Sequence, residues 1–307
     1  MKKANPYTPI IQPELDIFSV GSVEPNKFLA KQRLKTKPEI IFFGSDSWSI
    51  SVLQPLEDNF DVVAVVTVPD SPIANYFKGP VLTPDKFDEN FISINYQLLT
   101  TDLFVVASYG KIIPQLILDI PKYGSLNVHP SLLPKYRGAS PIQETILNGD
   151  KTAGVTIIKM DEKMDHGPVI ITKQISLSGQ EDFLTLINIL FRAGAELLVD
   201  IIPDFIAGKC PLEEQNHGQA TFTKLLKKED GYFDINNPPS LEKLDRMIRA
   251  YSTWPGVWTL WEVESAKGKV KRVVKLLPGG KIQMAGKKPL TIKDFLNGYP
   301  NFPLKNL

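Results

Sequence analysis

The sequence predicts an α/β protein: a sheet with covered faces, followed by a smaller, β-rich domain. Three observations predict this. Short apolar runs recur through the first two thirds of the chain with helical patterns between them. Past residue 208 the pattern changes to short alternating segments broken by glycine and proline. The chain has 307 residues, 43% hydrophobic and 22% charged, which is enough for two real cores.

Residues 1–37 read as irregular, because Pro6, Pro9, Pro13 and Pro25 interrupt any long element. KFLAKQRLKTK, Lys27 to Lys37, has the pattern of a short basic helix. EIIFFG, Glu39 to Gly44, is a compact apolar run ending in glycine and reads as a buried parallel strand. SDSW, Ser45 to Trp48, offers N-cap candidates for a helix after it. VVAVVTV (Val62 to Val68), LFVVAS (Leu103 to Ser108), SLNV (Ser125 to Val128) and GVTIIKM (Gly154 to Met160) supply further strands. ASPIQETILNGD, Ala139 to Asp150, reads as a helix between two of them. A long amphipathic helix is expected over Phe183 to Ala207, stopped by Gly208.

The polar run from Cys210 to Lys224 reads as a linker. LEKLDRMIRAY (Leu241 to Tyr251) reads as one more helix, and VWTLWEV, KVKRVVKLL and KIQMAG as strands of a small barrel or sandwich. From Thr221 onward, 16 Lys and Arg face 8 Asp and Glu, although the whole chain carries a net charge of only +1. That imbalance fits either a polyanion partner or an ordinary solvated basic surface.

A single cysteine, Cys210, excludes an internal disulfide and a cysteine metal cluster, and fits a reducing compartment. No apolar run approaches the roughly 18 residues of a membrane helix. MKKANPYTPIIQPEL lacks the apolar core of a signal peptide. The expectation is a cytoplasmic protein. FGSDSWS has neither the dinucleotide glycine pattern nor a phosphate-loop lysine, and three scattered histidines make no zinc motif.

The candidate chemistry lies in SLNVHPSLLPKYRGASPIQ, Ser125 to Gln143. If SLNV is a strand, Asn127 and His129 point to one side of it and Pro130 stops the pairing. Both side chains then project from the carboxyl end of a strand, where ligands of open α/β sheets gather. Asp165, in the loop after GVTIIKM, is a candidate third member. An amide, an imidazole and a carboxylate suit acyl transfer. Spacing alone equally allows a core histidine at 129 and a turn residue at 165. His166 reads as structural and His217 as an exposed linker residue.

NVHPSLLPKYRGASPIQ, followed about 25 residues later by MDEKMDHGPV, resembles the signature of the folate-dependent formyltransferases: Asn-x-His, Ser-Leu-Leu-Pro and Arg-Gly, then Asp-x-Gly. ASYGKIIP (Ala107 to Pro114) is similar to that family's segment lining the pterin pocket. QATFTKLLKKEDGYFD, LDRMIRAYSTWPGVWT and GKKPLTIKDFLNGY resemble the linking and carboxyl-terminal segments of those members that act on methionyl-tRNA. The resemblance implies a Rossmann-like three-layer formyltransferase domain and a small OB-like β-barrel. It places an irregular extension at 1–37, the catalytic domain at 38–208, a linker at 209–221 and the tRNA-binding barrel at 222–307. It implies Asn127, His129 and Asp165 as the catalytic residues, with no metal. It implies Ser131, Leu132, Leu133 and Pro134, together with Tyr109 and Gly110, as contacts to the donor 10-formyltetrahydrofolate. The implied acceptor is initiator methionyl-tRNA and the implied state a monomer.

Amino-sugar nucleotide formyltransferases share the catalytic motifs, and an inactive folate- or RNA-binding relative is a third reading. The sequence departs from the family in two places. The segment from Val68 to Glu89 is short, with Lys78 its only basic residue before Lys86, where the family carries a longer basic loop for the acceptor arm. The extension of about 37 residues is unpredicted, and its basic segment Lys27 to Lys37 is a candidate replacement for the missing loop charge.

Overall fold

The structure is a computed structural model that describes residues 37–88, 91, 100–265 and 268–304. Apart from Lys37, the basic segment proposed over Lys27 to Lys37 lies outside the described residues.

A seven-stranded sheet forms the centre. Its strands are β1 (Glu39–Phe43), β2 (Asp61–Val66), β3 (Val81–Leu82), β4 (Leu103–Val106), β5 (Ser125–His129), β7 (Thr152–Lys159) and β8 (Val169–Ser176), in the order β3-β2-β1-β4-β5-β7-β8. The first five are parallel to one another, β7 runs antiparallel to β5, and β8 runs antiparallel to β7. The order reverses between β1 and β4, so a crevice opens at their carboxyl ends, beside the end of β5.

The run EIIFF explains the layering. Ile40 and Phe42 join a core on one face, Ile41 and Phe43 a core on the other, and all four are fully buried. A strand that buries both faces has no reason to alternate polar and apolar residues. β8 does not follow this rule: only Ile170, Ile171 and Ile175 pack inward and much of the strand is exposed. It is an edge strand, and the sequence reading missed it because VIITKQIS is too polar to stand out.

On one face α1 (Ile50–Asn59) and α5 (Phe183–Ile206) pack together over the sheet. Gly194 brings α5 down onto β5 and β7; a Cβ there would sit 2.5 Å from Val128 Cγ1. Helix α5 begins where Asp182 accepts the Thr185 N–H and ends before Gly208, whose φ of +69° suits glycine. Ser49, just past the expected SDSW stretch, is the N-cap residue of α1. Asp46 instead accepts both the N–H and the hydroxyl of Ser49, at 3.1 and 3.0 Å. Two short helices, α2 (Pro72–Tyr76) and α3 (Gln115–Leu118), were not anticipated. Each is at most five residues long, too short for periodicity to reveal. Helix α4 (Pro141–Asn148) fills the stretch expected from ASPIQETILNGD.

The chain closes with α6 (Leu241–Ala250) and an antiparallel sheet of four strands. These are β10 (Val257–Ser265), β11 (Gly268–Leu277), β12 (Lys281–Met284) and β13 (Leu290–Thr291), followed by α7 (Ile292–Gly298). Val257, Val274, Leu276 and Ile282 of this sheet belong to the same core as α5 and β5. The first face of the large sheet therefore shares one hydrophobic core with the carboxyl-terminal region.

Candidate active site

Strand β5 divides its side chains as alternation requires. Leu126 and Val128 enter the core beneath α5, while Asn127 and His129 share the opposite face at the strand's carboxyl end. Asp165 reaches them from the loop between β7 and β8. Its Oδ1 accepts the Asn127 amide Nδ2–H at 3.2 Å and lies 3.4 Å from His129 Nδ1. Its Oδ2 accepts the Gly138 backbone N–H at 2.7 Å. The three residues that the sequence singled out are thus one cluster with the carboxylate at its centre.

His129 is 4% exposed and held at both nitrogens. Nε2 lies 3.0 Å from the Tyr136 carbonyl oxygen, which only accepts, so Nε2 carries a proton. Nδ1 faces Asp165 Oδ1. The 3.4 Å separation exceeds the roughly 2.7–2.9 Å of a charge-assisted hydrogen bond, so the contact is a close ion-pair distance rather than a tight hydrogen bond.

The loop carrying Asp165 is tightly built. Asp165 has a φ of +49°, a left-handed conformation that Asp and Asn tolerate better than most residues. At Gly167 a Cβ would lie 1.9 Å from the Lys159 carbonyl oxygen, so only glycine lets the loop fold back onto β7. On the other side, β6 (Arg137–Gly138) pairs with β9 (Phe222–Thr223), and Arg137 N–H donates to Thr221 O at 2.8 Å. The supposed linker therefore walls the site rather than merely joining domains.

Ser131 to Pro134 form a turn fastened to β7. Thr156 Oγ1 donates to Ser131 O at 2.7 Å and accepts from Leu133 N–H at 3.3 Å. Ser131 is buried and its hydroxyl donates to Lys135 O, and Leu132 lies over Gly154, where a Cβ would meet its Cδ2 at 2.2 Å. Tyr109 lies in the aromatic core of the second face, edge-on to Phe43. Its hydroxyl is buried with no partner among the described residues, and burial pushes its pKa up to about 12. Gly110 takes φ +76° with open space around it, and Ile112 nearby is 85% exposed.

The sequence reading cast Arg137 only as part of the Arg-Gly motif, His166 as structural and His217 as an exposed linker residue, and it did not single out Gln215. Gln215 Nε2 donates to the carbonyls of Asp165 (2.9 Å) and Gly167 (2.7 Å), and its Oε1 accepts from Arg137. His217 is exposed, as expected, but far from idle: it stacks on His166 at 4.0 Å and accepts from Arg137 at Nδ1. His166 in turn meets Asp161 Oδ2 at 2.7 Å. Gln215 and His217 lie about 50 residues or more from their partners, so no local pattern reveals them.

Comparison with known proteins places this geometry. Residues 26–202 match the model of the formyl transferase family. The chain belongs to the formyl transferase family. A methionyl-tRNA formyltransferase of Chloroflexus aggregans is 40% identical over 237 residues, covering 72% of this chain and 76% of that protein. Another, from a Roseiflexus species, is 35% identical over 300 residues, covering 84% and 92%. Among solved structures, a sugar N-formyltransferase from a Shewanella species shares the fold with a TM-score of 0.61 at 19% identity, covering 76% of this chain and 96% of that one. In this formyl transferase the matched region ends inside α5, while the residues that wall the site from the other side, Gln215 to Thr223, lie beyond it.

Proposed function

We propose that the protein transfers a formyl group from 10-formyltetrahydrofolate to the amino group of initiator methionyl-tRNA. The observation that carries this reading is the Asn127–His129–Asp165 cluster at the end of β5. It is supported by relatives named methionyl-tRNA formyltransferase that match along most of their length.

The chemistry follows from the donors present. One hydrogen of the Asn127 amide is engaged by Asp165, which leaves the other for the oxyanion that develops as the amine attacks the formyl carbon. His129 as imidazolium offers positive charge at the same place. Asp165 keeps that charge oriented and accepts the proton leaving the attacking amine, directly or through water, and that proton passes to the folate nitrogen as its bond to the formyl carbon breaks and tetrahydrofolate leaves. The donor supplies the activated formyl group. Ser131 to Pro134, with Tyr109 and Gly110, would hold its pterin.

The carboxyl-terminal sheet belongs to the same proposal as an OB-like, tRNA-facing barrel. Its strands carry Lys269, Lys271, Arg272, Lys275 and Lys281, and all but the last lie on β11. The domain limits at 38–208, 209–221 and 222–307 are part of this reading, as is a cytoplasmic setting. Among the described residues no helix is long and apolar enough to cross a membrane.

A second acceptor, the amine of a nucleotide-linked sugar, is favoured by the short segment between Val68 and Glu89. The test is formyl transfer to charged initiator methionyl-tRNA, with an amino-sugar nucleotide assayed in parallel. Formylated tRNA alone is the expected result, and formylated sugar alone would overturn the acceptor assignment.

A further inference from the structure

The Arg-Gly pair after the Ser-Leu-Leu-Pro turn has a glycine whose N–H binds Asp165, but the arginine has no part in the chemistry above. Its surroundings are unusual. Arg137 is 3% exposed, and every partner recorded for its guanidinium is neutral. Nε and Nη2 donate to Gln215 Oε1 at 3.2 and 2.6 Å, and Nη2 also donates to His217 Nδ1 at 2.9 Å.

Gln215 is as fully committed. Both hydrogens of its Nε2 are spent on the carbonyls of Asp165 and Gly167, and its oxygen is spent on Arg137. These partners fix the amide's orientation: turned over, it would set its oxygen against two carbonyls and its NH2 against a guanidinium. The pair thus joins the two pieces of backbone that define the site. Arg137 lies between Tyr136, whose carbonyl holds His129, and Gly138, whose N–H holds Asp165. Gln215 grips the carbonyls of the two residues that flank His166, Asp165 itself and Gly167.

We infer that Arg137 and Gln215 form a positioning clamp that sets the Asp165 carboxylate relative to His129. Neither touches the reacting atoms. The clamp holds Asp165 in its left-handed backbone conformation and keeps the segment from Tyr136 to Gly138 at a fixed distance from it. The stacked rings of His166 and His217 close its outer side, with Asp161 anchoring His166. Because Gln215 enters from the segment after α5, the catalytic cluster is complete only when that segment is docked.

The decisive variant is Gln215→Glu, with Gln215→Ala and Arg137→Lys beside it. A glutamate retains the acceptor for Arg137 but has no N–H for the Asp165 and Gly167 carbonyls. A lysine retains charge but lacks the fork that reaches Gln215 and His217 together. For its kinetic arm the inference rests on the formyl-transfer reading. There kcat should fall about 10- to 100-fold, the effect of a misplaced catalytic group. KM for donor and acceptor should stay within about threefold, because the loss is confined to the transition state.

The second arm needs no substrate: amide hydrogen exchange on the intact protein. In Gln215→Glu, exchange at Gly138 and through residues 161–167 should quicken while the amides of β1, β4 and β5 keep their protection. Retention of kcat within about twofold or unchanged exchange at Gly138 would overturn the clamp. So would a loss of protection spread evenly over the core, since that marks a merely structural role. If wild type transfers no formyl group, the functional reading fails, and the exchange arm still decides the clamp.

Discussion

Gly138 donates its backbone N–H to Asp165 Oδ2 at 2.7 Å. Its φ is +107°, and a Cβ on it would lie 2.6 Å from the Thr223 carbonyl oxygen. Conformation and space therefore both demand glycine. Gly138→Ala should destabilise the protein by about 1–3 kcal/mol, combining left-handed strain with the displaced β9 contact. Transfer activity should fall more than stability explains, because a backbone displaced from Thr223 O carries the residue-138 N–H away from Asp165 Oδ2. Thermal unfolding and kcat measured on the same preparation check this, and an active, stable Gly138→Ala protein refutes the assignment.

His129→Ala separates an enzyme from a binding protein. Removing the ring deletes the proposed positive charge at the oxyanion, a loss of about 10²- to 10³-fold in kcat. The Tyr136 carbonyl and the Asp165 carboxylate lose a partner, which costs about 1–3 kcal/mol of stability. Donor affinity, which the proposal assigns to the Ser131 to Pro134 turn and the Tyr109 region, should barely change. Single-turnover transfer and equilibrium titration with a formyltetrahydrofolate give the two numbers. Activity within tenfold of wild type would remove His129 from the mechanism.

Charge and shape separate at Asp165. Asparagine accepts a φ of +49° and keeps one oxygen for the Gly138 N–H or the Asn127 amide, but it carries no charge. Asp165→Asn should therefore fold like wild type, within about 1 kcal/mol, yet lose at least about 100-fold in kcat. Asp165→Ala adds the backbone penalty and should be the less stable of the two. Equal stability of the two variants would show that the loop is not held in that conformation by the side chain.

The sequence revealed this site unevenly, and the reason is range. Asn127 and His129 were legible because two residues on one strand obey a two-residue period, whatever surrounds them. The buried strands were legible because EIIFF and LFVV are apolar on both faces. The edge strand β8, exposed over much of its length, gave no such signal. Asp165 was nominated from its place in the loop after GVTIIKM, and the resemblance then implied its role; its bond to Gly138 depends on a loop folding back over β7, which no periodicity encodes. Arg137, Gln215 and the His166–His217 stack were illegible for the same reason. Their partners are brought together by tertiary closure between segments up to 80 residues apart.

Glu181 makes one part of the stability depend on pH. It lies in the turn that leads into α5, next to the helix-capping Asp182. Desolvation favours its neutral form, yet the Ser178 N–H and hydroxyl, each at 2.8 Å, and the Gly179 N–H at 3.0 Å outweigh that effect. The result is a carboxyl pulled down to about 2 from an ordinary 4.5. Because the folded-state value is depressed, the unfolded chain takes up this proton first as the pH falls. Its stabilising contribution is therefore complete above about pH 4.5 and is lost progressively toward about pH 2. Glu181→Gln removes the titration while leaving an oxygen for the same donors. In urea denaturation, wild type should be the more stable of the two at neutral pH, and the gap should close between about pH 5 and pH 2.5. A gap that stays constant over that interval would mean that the turn releases Glu181 without cost to the fold.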